Sequence, residues 1–281
     1  MKLTLAYSTC PNDTFIFDAL ANGKIDTEGI DFEISLADID VLNKNAVSAN
    51  PPDITKISSN AYGIDIWKNY VILNSGSALG RNNGPLLVAK EAFPLSEMDS
   101  KKILIPGVNT TANLLFTTFF PNAKDKTPLL FSKIEGEVIS GHYDAGLLIH
   151  EGRFTYQSKG LVKIADMGEL WEQKFGMPIP LGSIIAKRSL PQDVIAKVDR
   201  IIRRSVQYSL NNPESPMPYI RDNAREMDDN VMRSHIALYV NNFSVSLGEE
   251  GRAAITFLYQ KAFENGLYKE LPEGIFAALS A

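Results

Sequence analysis

The chain has 281 residues, 44% of them hydrophobic, with 28 basic against 33 acidic side chains and a formal net charge of −5. That apolar content excludes a disordered chain, and 19 Gly with 15 Pro in no regular period exclude a fibrous one. The acidic balance offers no positive field to a phosphate backbone, so nucleic acid is not an expected partner; one cysteine and three histidines leave no disulfide and no Cys- or His-rich metal site.

At ~100–200 residues per domain, this length makes one large domain or two modest ones. The opening MKLTLAYSTCPND lacks the basic start, the apolar run of ~7–15 residues and the small-residue cleavage site of a secretory signal. No apolar run approaches the ~20 residues that span a bilayer. The expectation is a soluble, cytoplasmic protein with no membrane partner.

In chain order, residues 3–7 alternate as a strand, and Pro11-Asn12-Asp13 opens a helix carried by Phe15, Phe17 and Leu20. Gly23 stops it, because glycine tolerates the left-handed conformation past a helix end. Residues 31–36 read as a strand, Asp38 caps the next helix, and a strand over 53–57 runs into Ser58-Ser59 at the start of a third. Strands over 70–73 and 85–89 are joined by the glycine-rich stretch 75–84. The pattern then restarts: strand 102–105, a helix begun by Thr110 or Thr111, strand 129–131, helix 132–140, strand 143–149 ending at His150, helix 166–175 and strand 181–186. The last ~90 residues are helical, with an apolar stripe of period 3.6 at Val194, Val198, Ile201, Ile202, Val206 and Leu210. Further helices are expected over 217–225, 229–240 and 249–266.

Two βα blocks and a helical tail fit an α/β protein of two lobes, with strand 181–186 returning the chain to the first. Lobe I is expected over 1–89 plus 187–281 and lobe II over 90–186. This is the arrangement of the type II periplasmic-binding-protein fold, whose ligand cleft lies between the lobes, where pockets concentrate. Trp67, Trp171 and the tail are candidates for covering a homodimer interface.

Four segments leave a strand through a polar turn: 8–14, 56–59, 109–111 and 150–156. If the strands are parallel, all four project from one edge into one cleft. A helix N-terminus presents unpaired N–H groups and a positive dipole end, which suits a carboxylate. Lys56-Ile57-Ser58 and Thr110-Thr111-Ala112 therefore read as backbone-and-hydroxyl cradles, against the ordinary alternative that Ser and Thr merely cap helices. His150 is the candidate for proton transfer, since imidazole near its usual pKa of ~6.5 serves as a base without large tuning. The competing reading is a histidine that closes a strand with a backbone hydrogen bond. Glu151 follows on the opposite side of an extended segment and is not expected to pair with it. Arg153 and Arg81 suit a bidentate carboxylate clamp or, more ordinarily, a surface ion pair. Phe154 and Tyr156 read as stacking partners for an aromatic ligand or as cover for the cleft rim. His142 reads as a surface residue after a helix end, His235 as helix packing, and Cys10 as structural, with no His or Asn partner to mark a nucleophile. No phosphate-cradling or dinucleotide glycine pattern is present.

At Ser8-Thr9-Cys10-Pro11-Asn12-Asp13-Thr14-Phe15 and His150-Glu151-Gly152-Arg153-Phe154-Thr155-Tyr156 the chain resembles the 1,4-dihydroxy-6-naphthoate synthase family of the futalosine route to menaquinone. Supporting strings are Asp53-Ile54-Thr55-Lys56-Ile57-Ser58, Ala78-Leu79-Gly80-Arg81, Gly84-Pro85-Leu86 and Pro180-Leu181-Gly182, in the same order over essentially the whole chain. The resemblance implies a cofactor-free lyase on the two-lobed fold, acting on a small molecule. That substrate is cyclic dehypoxanthinyl futalosine, and the products are 1,4-dihydroxy-6-naphthoate and dihydroxyacetone. It also implies His150 as general base and ligand contacts at Lys56-Ile57-Ser58 and Thr110-Thr111-Ala112. Asn12 and Asp13 are candidates for holding hydroxyls, and Arg153 for a further contact. Departures are Thr9, where the family commonly has proline, and Asn82, where it commonly has glycine. Two other readings remain: a carboxylate-binding solute-binding protein without chemistry, and chorismate dehydratase of the same pathway.

Overall fold

In the computed structural model, which describes residues 1–150, 152–224 and 228–278, strands and helices alternate through β1 (Lys2–Tyr7), α1 (Pro11–Ala21), β2 (Asp31–Leu36), α2 (Ile39–Asn45), β3 (Ile54–Ser58), α3 (Ser59–Ile64), β4 (Tyr70–Ile72) and β5 (Ala78–Gly80). A second block follows: β6 (Leu86–Ala89), β7 (Ile103–Ile105), α4 (Thr111–Phe119), β8 (Lys126–Pro128), α5 (Phe131–Ser140), β9 (Ala145–Leu148), α6 (Gly152–Thr155), β10 (Val162–Asp166) and α7 (Met167–Phe175). Then come β11 (Ile179–Lys187), α8 (Gln192–Asn211), α9 (Met217–Asn223), α10 (Asp229–Tyr239), α11 (Asn242–Val245) and α12 (Gly248–Glu264).

The strands form two sheets, ordered β2-β1-β3-β11-β4 with β5 on β11, and β10-β6-β9-β7-β8. In the first, β1 runs parallel to β2 and β3 while β11 is antiparallel to β3. In the second, β7 is parallel to β8 and β9, and β6 antiparallel to β9 and β10. Sheet membership moves each lobe crossing by one strand from the expected boundaries at 89/90 and 186/187. Strand β6 pairs in the second sheet and β11 in the first, because a strand belongs to whichever sheet supplies its hydrogen bonds. Helix α8 buries its stripe of Val194, Val198, Ile201, Ile202 and Val206 against α1 and the first sheet. Trp171 is fully buried against Phe175 and Phe257 and so belongs to the core rather than to a surface interface. No helix among the described residues is long and apolar enough to cross a membrane.

Three local expectations differ. The strand expected over 129–131 is β8, three residues earlier, and Phe131 already lies in α5. Strand β10 was not expected: it lies at an edge, and Val162 and Lys163 are exposed, so no apolar alternation marks it. Strand β5 hides in the glycine-rich stretch, where three residues suffice to pair with β11.

One glycine contact fixes how the second lobe's first loop meets α7. A Cβ on Gly84 would lie 2.1 Å from the Gly168 nitrogen, and one on Gly168 would lie 2.4 Å from the Gly84 nitrogen. Backbone packs on backbone there, with no flexible side chain to yield. Gly84→Ala is expected to destabilise by about 3 kcal/mol, the upper end of overpacking costs, in urea denaturation. Gly136→Ala, inside α5 with nothing within 4 Å of the added carbon, should stabilise by about 0.5–1 kcal/mol.

Candidate active site

Parallel pairing decides where the polar turns meet. Because β1 and β3 run side by side in one direction, the turns at Ser8 and Ser58 leave the same edge of the first sheet. Because β7 and β9 do so in the second, residues 106–110 and His150 leave the same edge there. The two edges face one another across a cleft of about 710 Å³, open mouth included, lined by Asn12, Asp13, Lys56, Ile57, Ser58, Thr110, Thr111, Ala112 and His150 among others. Strand β11 adds Leu181 and Gly182, and α10 adds His235 and Tyr239.

The first lobe's wall carries a buried ion pair. Lys56 Nζ lies 3.1 Å from Asp13 Oδ1, with the side chains 6% and 2% exposed. Ser8 Oγ donates to Asp13 Oδ2 at 2.6 Å, Asn12 Nδ2 donates to Oδ1 at 2.8 Å, and Lys56 Nζ donates to the Gly76 carbonyl at 3.4 Å. Charges persist at such burial only when paired and hydrogen-bonded, and both conditions are met. The Asn12 amide and the Asp13 carboxylate thus hold the Lys56 network together. Ser58 is pinned by Asn43, whose amide donates to Ser58 Oγ at 3.1 Å and whose carbonyl oxygen accepts the Ser58 N–H at 3.0 Å.

Across the cleft, Thr110 caps α4: its hydroxyl donates to the Gly107 carbonyl at 2.7 Å and accepts from the Asn113 N–H at 3.3 Å. Thr111 Oγ1 donates to the Leu181 carbonyl at 2.8 Å, and Asn60 Nδ2 donates to the Thr110 carbonyl at 3.2 Å, so hydrogen bonds from both Thr110 and Thr111 reach across to the first lobe. The ordinary capping role of the Thr110 hydroxyl is therefore realised. What α4 offers a ligand is its first-turn N–H groups and its positive dipole end, at Thr111 and Ala112.

His150 sits one residue beyond Ile149 at the tip of β9, half-buried, with φ 57. A non-glycine residue in that left-handed region is uncommon and is held there by its surroundings. The edge of the Phe131 ring meets it at a centroid distance of 4.9 Å. Cys10 Sγ lies 3.2 Å from Nδ1 and 4.0 Å from Nε2. This corrects the expectation that Cys10 has no histidine partner: the contact joins residues 140 apart, from opposite lobes, and no local pattern encodes it. Glu151 lies outside the described residues.

Arg153 is not brought to the cleft wall. Its guanidinium donates to the carbonyls of Gly84 and Asn82 and pairs with buried Asp166, which ties residues 82–84 to the second sheet. Asn82 has φ 52, a backbone that favours glycine and that asparagine tolerates better than most residues. Arg81 makes surface ion pairs with Glu172 and Glu250, the more ordinary of its two readings. Tyr156 is buried in the second lobe's core, and the Phe154 ring lies 6.2 Å from His235. His142 is exposed beside Glu137. His235, read from sequence as packing, is a wall of the cleft and lies 6.1 Å from His150 ring to ring. The inward spacing of Met232, His235, Ile236 and Tyr239 carried that signal, because a helix face that buries one of these residues buries all of them.

The comparisons with known proteins agree with this geometry. The family described as Menaquinone biosynthesis matches residues 3–264. The chain is 41% identical to a 1,4-dihydroxy-6-naphthoate synthase of Thermus thermophilus over 98% of both chains. It is 42% identical to the enzyme of that name from Streptomyces coelicolor, over 96% of this chain and 95% of that one. A crystal structure of an Archaeoglobus fulgidus protein superposes with TM-score 0.87 at 33% identity, covering 95% of this chain and 98% of that chain. The ligand-binding component of an ABC-type import system from Staphylococcus aureus gives TM-score 0.70 at 10% identity, over 99% and 97% of the two chains, which speaks to fold alone. The fold is the two-lobed type II periplasmic-binding-protein fold, and the chain belongs to the menaquinone-biosynthesis family.

Proposed function

We propose that this chain is a cytoplasmic 1,4-dihydroxy-6-naphthoate synthase, a carbon–carbon lyase that releases 1,4-dihydroxy-6-naphthoate and dihydroxyacetone from cyclic dehypoxanthinyl futalosine without a cofactor. The observation that carries the reading is that the His150 imidazole and the first turn of α4 line the same cleft from the second lobe, opposite the Lys56–Asp13 pair of the first. Aromatising the spiro ring system requires loss of a proton next to a carbonyl while a carbon–carbon bond breaks. His150 takes that proton. In this role its own hydrogen resides on Nδ1, towards Cys10 Sγ, and Nε2 offers its lone pair to the substrate. The substrate carboxylate docks at the N–H groups of Thr111 and Ala112, where a helix start stabilises negative charge. Positioned donors lining the cleft stabilise the developing enolate.

The test is to incubate the purified chain with cyclic dehypoxanthinyl futalosine and follow the naphthoate absorbance together with dihydroxyacetone. One-to-one release of the two products is expected. Binding without product would make the chain a solute-binding protein of this fold, and dehydration of supplied chorismate in place of this reaction would make it the neighbouring lyase.

A further inference from the structure

We propose that His235 contacts the bound ligand, presenting an imidazole N–H to a neutral hydroxyl or carbonyl oxygen of its ring system. The inference rests on the proposed function for the identity of the ligand and on the structure for the residue. His235 is 1% exposed on the inward face of α10 and is among the residues that line the cleft. Neither ring nitrogen has a hydrogen-bond partner among the described residues. Buried polar side-chain atoms in folded proteins are nearly always paired, so a core histidine retained for structure would tie at least one nitrogen to a carbonyl or hydroxyl. Its neighbours are rings instead: Tyr239 at 4.7 Å, His150 at 6.1 Å and Phe154 at 6.2 Å between centroids.

Burial, with His150 nearby, pushes the imidazole well below its usual 6.5, so it is neutral at pH 7 and keeps one N–H and one lone pair. A leucine would fill this position without the cost of an unmade hydrogen bond. Stability alone therefore does not account for a histidine here, whereas a ligand oxygen accepting its N–H does. A neutral donor among aromatic rings suits the uncharged, oxygenated end of an aromatic ligand. The carboxylate end goes to the first turn of α4, where the dipole favours charge.

The experiment measures binding of 1,4-dihydroxy-6-naphthoate by calorimetry and the thermal midpoint for wild type, His235→Leu and His235→Gln. The leucine variant should keep or raise the midpoint and lose at least about tenfold in affinity, the effect of one buried hydrogen bond. The glutamine variant, which restores an N–H, should recover part of that affinity. A leucine variant that binds the naphthoate within twofold of wild type would overturn the assignment. So would one whose midpoint and affinity fall together with no recovery in glutamine, since that marks a structural ring. A wild-type chain that neither binds nor forms the naphthoate overturns the functional reading itself, and the ligand contact with it.

Discussion

His150→Asn is expected to lower kcat by ~10²–10⁴ while affinity for 1,4-dihydroxy-6-naphthoate changes by less than about tenfold. The range is the usual worth of a positioned general base. On the proposed reading the first turn of α4, rather than the imidazole, anchors the ligand, so binding is expected to change little. Asparagine is the informative replacement. At φ 57 an alanine would add backbone strain to the loss of the ring, whereas asparagine accepts the left-handed region with less penalty. Steady-state turnover and calorimetry on the same preparation give both numbers. Near-normal kcat would remove His150 from the mechanism, and loss of product binding in parallel with kcat would make it an anchor.

Lys56→Met should cost about 3–5 kcal/mol of stability, the second large effect, because it leaves the Asp13 carboxylate buried without its cation. Ser8 and Asn12 still donate to that carboxylate but cannot replace a charge. The double variant Lys56→Met/Asp13→Leu should regain most of the loss, since exchanging a whole buried pair for apolar groups is often nearly neutral. Urea denaturation of the two variants beside wild type reads the difference. A single variant within about 1 kcal/mol of wild type would show that the pair adds little to stability.

The readable elements were those whose burial follows one clear period. β2 and the long stripe of α8 match expectation to within a residue or two because a single face decides each of them, whereas α1 is buried almost all round and is marked instead by Pro11 at its first position. β8 and β10 are edge strands with exposed lysine or proline, so hydrogen bonding to a neighbour defines them and apolar alternation does not. Lobe boundaries were displaced for the same reason: the apolar content of β6 is the same whichever sheet it joins. In the site, the strand-tip residues Lys56, Ser58, Thr110 and His150 were legible because each turn follows its strand locally. The Cys10–His150 contact depends on how two lobes face each other, and the wall position of His235 on how the tail folds back. Arg153 shows the converse: its charge was visible in the sequence, but buried Asp166 and two carbonyls claim it.

The two passages between the lobes are not independent, because β5 and β11, which begin one and end the other, are paired antiparallel with Ile179 opposite Gly80. Any swing of one lobe away from the other must be taken up in both passages at once, near residue 81 and residues 176–178, since residues 82–84 are held to the second lobe by Arg153 and Gly168. A double-stranded hinge of this kind permits rotation about one axis and resists twisting about the others. Lobe opening about this hinge is therefore expected to follow a single path that brings His150 back opposite Cys10.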